Sequence, residues 1–91
     1  MPLNFTFALS QQGKASNLSS MARVIAQQGD IPKAIALWEQ SLEIQQQIGD
    51  VVGEAATLNN MAGVIADQGD IARAIALLLM IFVGLYREKM R

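Results

Sequence analysis

The sequence feature that most constrains the fold is an internal repeat with a period of 40 residues. Shifting the chain by 40 positions aligns Gly13–Leu37 with Gly53–Leu77, and sixteen of those 25 positions are identical. Periods of about 20 to 50 residues are typical of arrays in which each unit buries its apolar face against its neighbour. We therefore expect two copies of one supersecondary unit.

Each unit is predicted to be a pair of helices. Apolar residues in the first half of unit one recur at spacings of three, one and three residues, which places them on one face of a helix: Leu18, Met21, Ala22 and Ile25. Gly29 follows where a helix would end in the left-handed conformation, and Asp30 fits the N-cap of the next helix. Gly69 and Asp70 repeat this corner. The predicted fold is all-α, with four helices in two antiparallel hairpins and no strand.

The repeat also predicts the domain boundaries. Residues 1–12 form a poorly specified leader, residues 13–50 form the first repeat, and residues 51–91 form the second. The second helix of unit one should run from about Ile31 to Ile48, where Gly49 and Asp50 end it. The N-terminal residues are apolar without a basic n-region, so a secretory signal is not expected and the default location is cytoplasmic.

The composition argues against several function classes. A chain of 91 residues that is 52% hydrophobic suits one small domain with a core. Its net charge of -1 gives no electrostatic reason to expect nucleic acid as a partner. The chain has no cysteine and no histidine, so disulfides, most zinc sites and most Ser-His or Cys-His catalysis are excluded. We predict a protein that is not an enzyme and needs no cofactor and no metal.

The repeated pattern resembles the tetratricopeptide repeat. Its signature in unit one is Leu18-x-x-Met21-Ala22-x-x-Ile25, then Gln28-Gly29-Asp30-Ile31-x-x-Ala34, Trp38 and Ser41-Leu42. Unit two matches through Leu58, Met61, Ala62, Ile65, Gly69-Asp70 and Ala74. The period of 40 exceeds the usual value of about 34 and is similar to longer-helix members such as those of kinesin light chains. The usual proline between repeats is absent. The resemblance implies an α-α superhelix that binds other proteins, with Trp38 in its core.

The end of the last helix departs from the family pattern. In unit one the arc opposite the core is polar and holds Glu39, Gln40, Glu43, Gln46 and Gln47. In unit two the inward arc is predicted to hold Ala74, Ile75, Leu78, Ile81, Phe82 and Leu85, and the opposite arc holds Leu79, Met80, Val83, Tyr86 and Arg87. A helix that is apolar all round must be buried all round, whereas the final helix of an array normally has a polar outer face. We therefore expect a partner to cover the outward half.

The favoured partner is a second copy of the chain. Two repeats are fewer than the three or so that usually make a stable array, and oligomerisation stabilises small scaffolds. A dimer or a tetramer is expected, with its interface at Leu78, Leu79, Met80, Phe82, Val83, Leu85 and Tyr86. The alternative is a membrane-associated adaptor that uses residues 74–86 as an anchor, although a spanning helix needs about twenty apolar residues. A different protein partner is the third reading.

The resemblance also implies a small peptide groove. The family often binds extended peptides on the surface formed by the first helix of each pair. The matching positions here are Ser19, Ser20, Arg23, Asn59 and Asn60, flanked by Ser16 and Gly63. Asparagines there would bind a peptide backbone, and Arg23 would meet a carboxylate. The competing interpretation is that these residues are simply a polar outer face.

Overall fold

The fold, taken from a computed structural model, is described for residues 5–90. Within them the chain forms four α-helices and no strand: α1 Phe5–Gln27, α2 Ile31–Ile48, α3 Val51–Asp67 and α4 Ile71–Lys89. Helix α1 packs on α2, α3 packs on α4, and α2 packs on α3. The predicted all-α fold of two helical hairpins is confirmed. Of the predicted leader, residues 5–12 open α1, and residues 1–4 lie outside the described residues.

The corner of each hairpin is made by the predicted Gly-Asp pair. Gly29 and Gly69 have φ of 93° and 91°, a left-handed conformation that only glycine adopts at low cost. Asp30 and Asp70 then accept a hydrogen bond from the backbone N–H three residues later, at 3.2 and 3.1 Å. Each aspartate thereby satisfies one of the N–H groups that a helix start leaves unpaired. The two hairpins therefore turn in the same way for the same local reason.

The connection between the two hairpins uses the same chemistry. Gly49 ends α2 at φ 72°, and the Oδ1 atom of Asp50 accepts from the N–H of Gly53 at 2.9 Å. The sequence pattern identified Gly49 and Asp50 as the end of α2, and the structure adds that Asp50 also caps α3. Because one aspartate both follows α2 and begins α3, the two hairpins are joined without a flexible linker.

The core lies between the hairpins and is built around one large side chain. Trp38 is 1% exposed and packs with Ala22, Ala34 and Met61. A second cluster of Ala62, Ile65 and Ala74 lies inside the second hairpin. The alanines at the helix crossings let the backbones approach closely. The prediction that Trp38 belongs to the core is confirmed.

A polar pair accompanies Trp38 where α2 meets α3. The Oγ1 atom of Thr57 donates to Oε1 of Gln45 at 2.8 Å, and both side chains are buried. Gln45 lies eleven residues after Ala34, which is about 20° from it on a helical wheel and so in the middle of the inward face. The sequence-based prediction missed this residue, although its place on the wheel was a usable signal.

Candidate interaction surface

Helix α4 contacts the rest of the described chain along a narrow seam. Ala74 is buried, and Leu77, Ile81 and Gly84 are half-buried. These positions recur at intervals of three, four and three residues, which is the spacing of a two-residue-per-heptad seam. Most of the surface of α4 therefore faces outward, although its side chains remain apolar.

The first exposed surface is the outer stripe, which we define as Leu79, Met80, Val83 and Tyr86. All four side chains are exposed. Their counterparts one repeat earlier are Glu39, Gln40, Glu43 and Gln46, which are also exposed. The predicted outward orientation of these residues is confirmed. The difference between the two repeats on this face is thus chemical, because the geometry is shared.

The second exposed surface was not expected. We define the stacking stripe as Ile71, Ile75, Leu78, Phe82 and Leu85; the prediction that Ile75, Leu78, Phe82 and Leu85 face inward is wrong, since all are exposed, Phe82 to 68%. In unit one α3 covers the corresponding positions, so Trp38 is 1% exposed whereas its counterpart Leu78 is 44% exposed. Within residues 5–90 no helix lies on α4 as α3 lies on α2.

The end of α4 approaches the start of α3 through charged groups. Partial burial raises the pKa of Glu54, and the neighbouring carboxylates of Asp50 and Glu88 add to this rise, whereas the positive charge of Arg87 opposes it. These groups surround a cavity of about 350 Å³ that also includes Gly84. The contact holds the last turns of α4 against α3, so the apolar stripes are presented on an anchored helix.

The predicted peptide groove is divided among several cavities. The Arg23 cavity, of about 420 Å³, lies between α1 and α3 and brings together Arg23, Asn60 and Asp67 above Trp38 of α2. The residues of the groove that lie together are therefore Arg23 and Asn60, one from each repeat. Their side chains place a cation and an amide at opposite walls of one space.

The remaining predicted groove residues lie elsewhere. Ser16 and Ser19 line the Ser19 cavity, of about 540 Å³, with the apolar Leu9 and Val52. Asn59 and Gly63 line the Asn59 cavity, of about 480 Å³, which lies between α3 and α4 and includes Leu78. Ser20 is exposed on α1. Asn60 contributes to both the Arg23 cavity and the Asn59 cavity.

The indole N–H of Trp38 is an unexpected polar group in this region. Trp38 lines the Arg23 cavity, and its Nε1 atom is buried with no hydrogen-bond partner among the described residues. An unpaired buried N–H costs roughly 1–3 kcal/mol of stability. The sequence could not show this, because Trp38 read correctly as core and the fate of its N–H depends on neighbours from three helices. A ligand acceptor in the cavity would satisfy it.

Comparison with known families agrees with this architecture. A model of the tetratricopeptide repeat family matches residues 13–80. The chain therefore belongs to the tetratricopeptide repeat family, whose members are protein-interaction modules and are typically non-enzymatic scaffolds. Comparisons with curated proteins and with solved structures give no significant match.

Two other kinds of site were searched for in residues 5–90. That part of the chain contains no group of three or more acidic, histidine or cysteine side chains that could hold a metal ion. None of its helices has the length and apolar character needed to cross a bilayer.

Proposed function

We propose that this tetratricopeptide repeat module self-associates through α4 and presents its groove to a peptide. The observation that carries the proposal is the outer stripe, where unit two replaces the Glu and Gln side chains of unit one with Leu79, Met80, Val83 and Tyr86. Full burial of such a side chain contributes about 1.5–3 kcal/mol, and about half of that remains to be gained here. Pairing of two outer stripes about a two-fold axis would bury eight of them.

The stoichiometry proposed is a dimer, or a tetramer built from dimers. Closed symmetric assemblies dominate among homo-oligomers, and a two-fold contact uses the same patch on both copies. The interface would comprise the outer stripe, with Leu78, Phe82 and Leu85 at its edge. None of these residues is charged, so association desolvates no unpaired charge.

A double substitution tests the outer stripe. Leu79→Glu with Val83→Glu restores the residues found at Glu39 and Glu43 of unit one, and we expect a smaller species by light scattering coupled to gel filtration. Gln40→Glu with Gln47→Glu is the matched control, because it adds the same two charges to the exposed back of α2. An unchanged mass for the α4 variant would contradict the proposal, as would a monomeric wild type.

The same variants distinguish the membrane-associated alternative. Flotation with vesicles of phosphatidylcholine and phosphatidylserine would recover the wild type, and not the Leu79→Glu, Val83→Glu variant, if lipid covered the stripe. Arg87 and Lys89 follow the apolar surface and would face anionic headgroups. A wild type that is oligomeric and stays with the soluble fraction argues against lipid.

The groove is tested with the only tryptophan of the chain. A peptide whose carbonyl or carboxylate accepts from the Trp38 N–H and pairs with Arg23 would shift the Trp38 emission. Titration with matched acidic and neutral extended peptides should show saturable shifts that weaken in Asn60→Ala. Asn59→Ala is the neighbouring control, since Asn59 lines the cavity on the α4 side. Equal binding by Asn60→Ala and wild type would exclude the Arg23 cavity as the peptide site.

A further inference from the structure

The contact between α2 and α3 shows what the stacking stripe is shaped to hold. At this junction Trp38 packs on Met61, and Gln45 accepts from Thr57. The stacking stripe occupies the same positions on α4, 40 residues later, with Leu78 in place of Trp38. It therefore has the register of a surface that receives a helix like α3.

The opposite half of this junction is exposed on α1. Met61 of α3 is 3% exposed, whereas Met21, its counterpart on α1, is 52% exposed. Val64 is half-buried, and its counterpart Val24 is also 52% exposed. Met21 was expected among the face that packs inward, and the structure leaves it on the outside. We define the α1 face as the positions matching the part of α3 that meets α2: Gly13, Asn17, Met21 and Val24.

The cavities repeat the same relation. The Asn59 cavity has lining residues at positions 40 residues beyond those of the Arg23 cavity: Gly63, Ala66, Asp67 and Leu78 in place of Arg23, Ala26, Gln27 and Trp38. The Arg23 cavity is closed by α3 through Asn60, Val64 and Gln68. The corresponding wall of the Asn59 cavity would come from a helix carrying Ser20, Val24 and Gln28, which is α1. The second cavity is thus complete only when another α1 lies on α4.

The geometry points to a head-to-tail contact in which the α1 face of a second copy lies on the stacking stripe and reproduces the α2–α3 junction. This goes beyond the two-fold contact proposed above, because it uses another stripe of α4 and another surface of the second copy. Two different patches meet, so the contact leaves one free end on each copy and continues unless the rotation closes a ring. The groove would then extend from one copy to the next.

The two faces are compatible in charge, and they differ from the internal junction at one pair. The α1 face and the stacking stripe contain no charged residue, so their contact desolvates no charge. By register Leu78 meets Met21, and Leu85 meets Asn17, where the internal junction has Gln45 and Thr57. The hydrogen bond of that pair is therefore not reproduced. Apolar packing by Leu78 and Phe82 replaces it, with Asn17 at the hydrated edge.

The test uses the Leu79→Glu, Val83→Glu chain, in which the outer stripe is removed. The head variant adds Met21→Gln and Val24→Gln, and the tail variant adds Leu78→Gln and Phe82→Gln; all four positions are exposed. We expect the starting chain to associate with rising concentration and each variant to be a monomer of 9.9 kDa. Mixed in equal amounts, the two variants should give a 1:1 dimer by native mass spectrometry, because each retains one intact face.

The outcomes separate the two contacts. A starting chain that is monomeric, from a wild type that associates, overturns the head-to-tail contact and leaves the proposed function in place. Association that survives in the head variant and is lost in the tail variant also overturns it, since α4 would then pair with α4. A starting chain with the mass of the wild type instead removes the outer stripe from the proposed function and leaves the head-to-tail contact standing.

Disulfide trapping gives a second readout that does not depend on the glutamine variants. The natural chain has no cysteine, so Met21→Cys and Leu78→Cys introduce one thiol each. On mixing and mild oxidation, the head-to-tail contact predicts that the mixed Met21–Leu78 disulfide exceeds both homodimers several-fold. Predominant Leu78–Leu78 linkage would show a two-fold contact and overturn the inference. A statistical distribution of the three products would overturn it as well.

Discussion

Replacing Thr57 with Val tests the polar pair inside the α2–α3 junction. Val keeps the shape of Thr and removes only the O–H that donates to Gln45 at 2.8 Å. Thr57 is 1% exposed and Gln45 is 5% exposed, so water cannot replace the lost donor. An unsatisfied buried acceptor costs about 1–3 kcal/mol, and we expect Thr57→Val to lower the free energy of unfolding by about 2 kcal/mol.

The reverse change and the double change complete a mutant cycle. Gln45→Leu introduces the residue that α4 carries at this position, Leu85. The Thr57 hydroxyl can then turn to a carbonyl of its own helix, so this single change should cost only about 1 kcal/mol. With both residues apolar no polar group is left unpaired, and the double variant should lie close to wild type. The expected coupling energy is therefore about 2–3 kcal/mol.

Urea denaturation followed by circular dichroism and Trp38 fluorescence measures these energies. All variants must be compared at one protein concentration, because self-association adds stability by mass action. Thr6→Val is the matched control, since Thr6 is exposed on α1 and loses the same hydroxyl. A Thr57→Val variant within about 0.5 kcal/mol of Thr6→Val, or a double variant equal to the sum of the single changes, would refute this account of the junction.

Three further changes test the local physics of the fold. Gly13→Ala should stabilise the chain by about 0.5–1 kcal/mol, since no described atom lies within 4 Å of the added Cβ, whereas Gly53→Ala should destabilise it because the Cβ would lie 2.9 Å from Nε2 of Gln45; urea midpoints compare the two. Asp70→Ala removes the cap of α4 and should cost about 0.5–2 kcal/mol by the same measurement. The raised pKa of Glu54 means that its contribution to stability is full below the ordinary value of 4.5 and falls as pH rises through the higher folded-state pKa. The melting temperature of Glu54→Gln relative to wild type should therefore increase from pH 4.5 to pH 7, and a constant difference would contradict this.

Those parts of the fold that depend on local chemistry could be predicted from the sequence. Gly29 must be left-handed for the chain to turn, and Asp30 must cap the next helix, so neither outcome depends on distant residues. The same holds for their copies at Gly69 and Asp70. The outward orientation of the outer stripe was predictable as well, because it depends on the helical period alone.

The exposure of the stacking stripe could not be predicted in the same way. Leu78 and Trp38 occupy the same position on the same repeat, and only the presence of α3 beside Trp38 makes one buried and the other exposed. The same is true of Met21 and Met61 on the other side of the junction. Burial at these positions is a property of the neighbour, and a helical wheel drawn for one helix contains no information about its neighbour.

The two stripes of α4 therefore have different physical origins. The stacking stripe is apolar in both repeats, since Ile31, Ile35 and Leu42 precede it in unit one, so its character comes from the repeat itself. The outer stripe is apolar only in unit two, and stacking of repeats gives no reason for it, because the back of α2 lies exposed and polar in the same array. A partner that merely continued the array would cover the first stripe and leave the second in water. A two-fold contact through the outer stripe would do the reverse, which is why the two surfaces have to be removed separately before either can be assigned a partner.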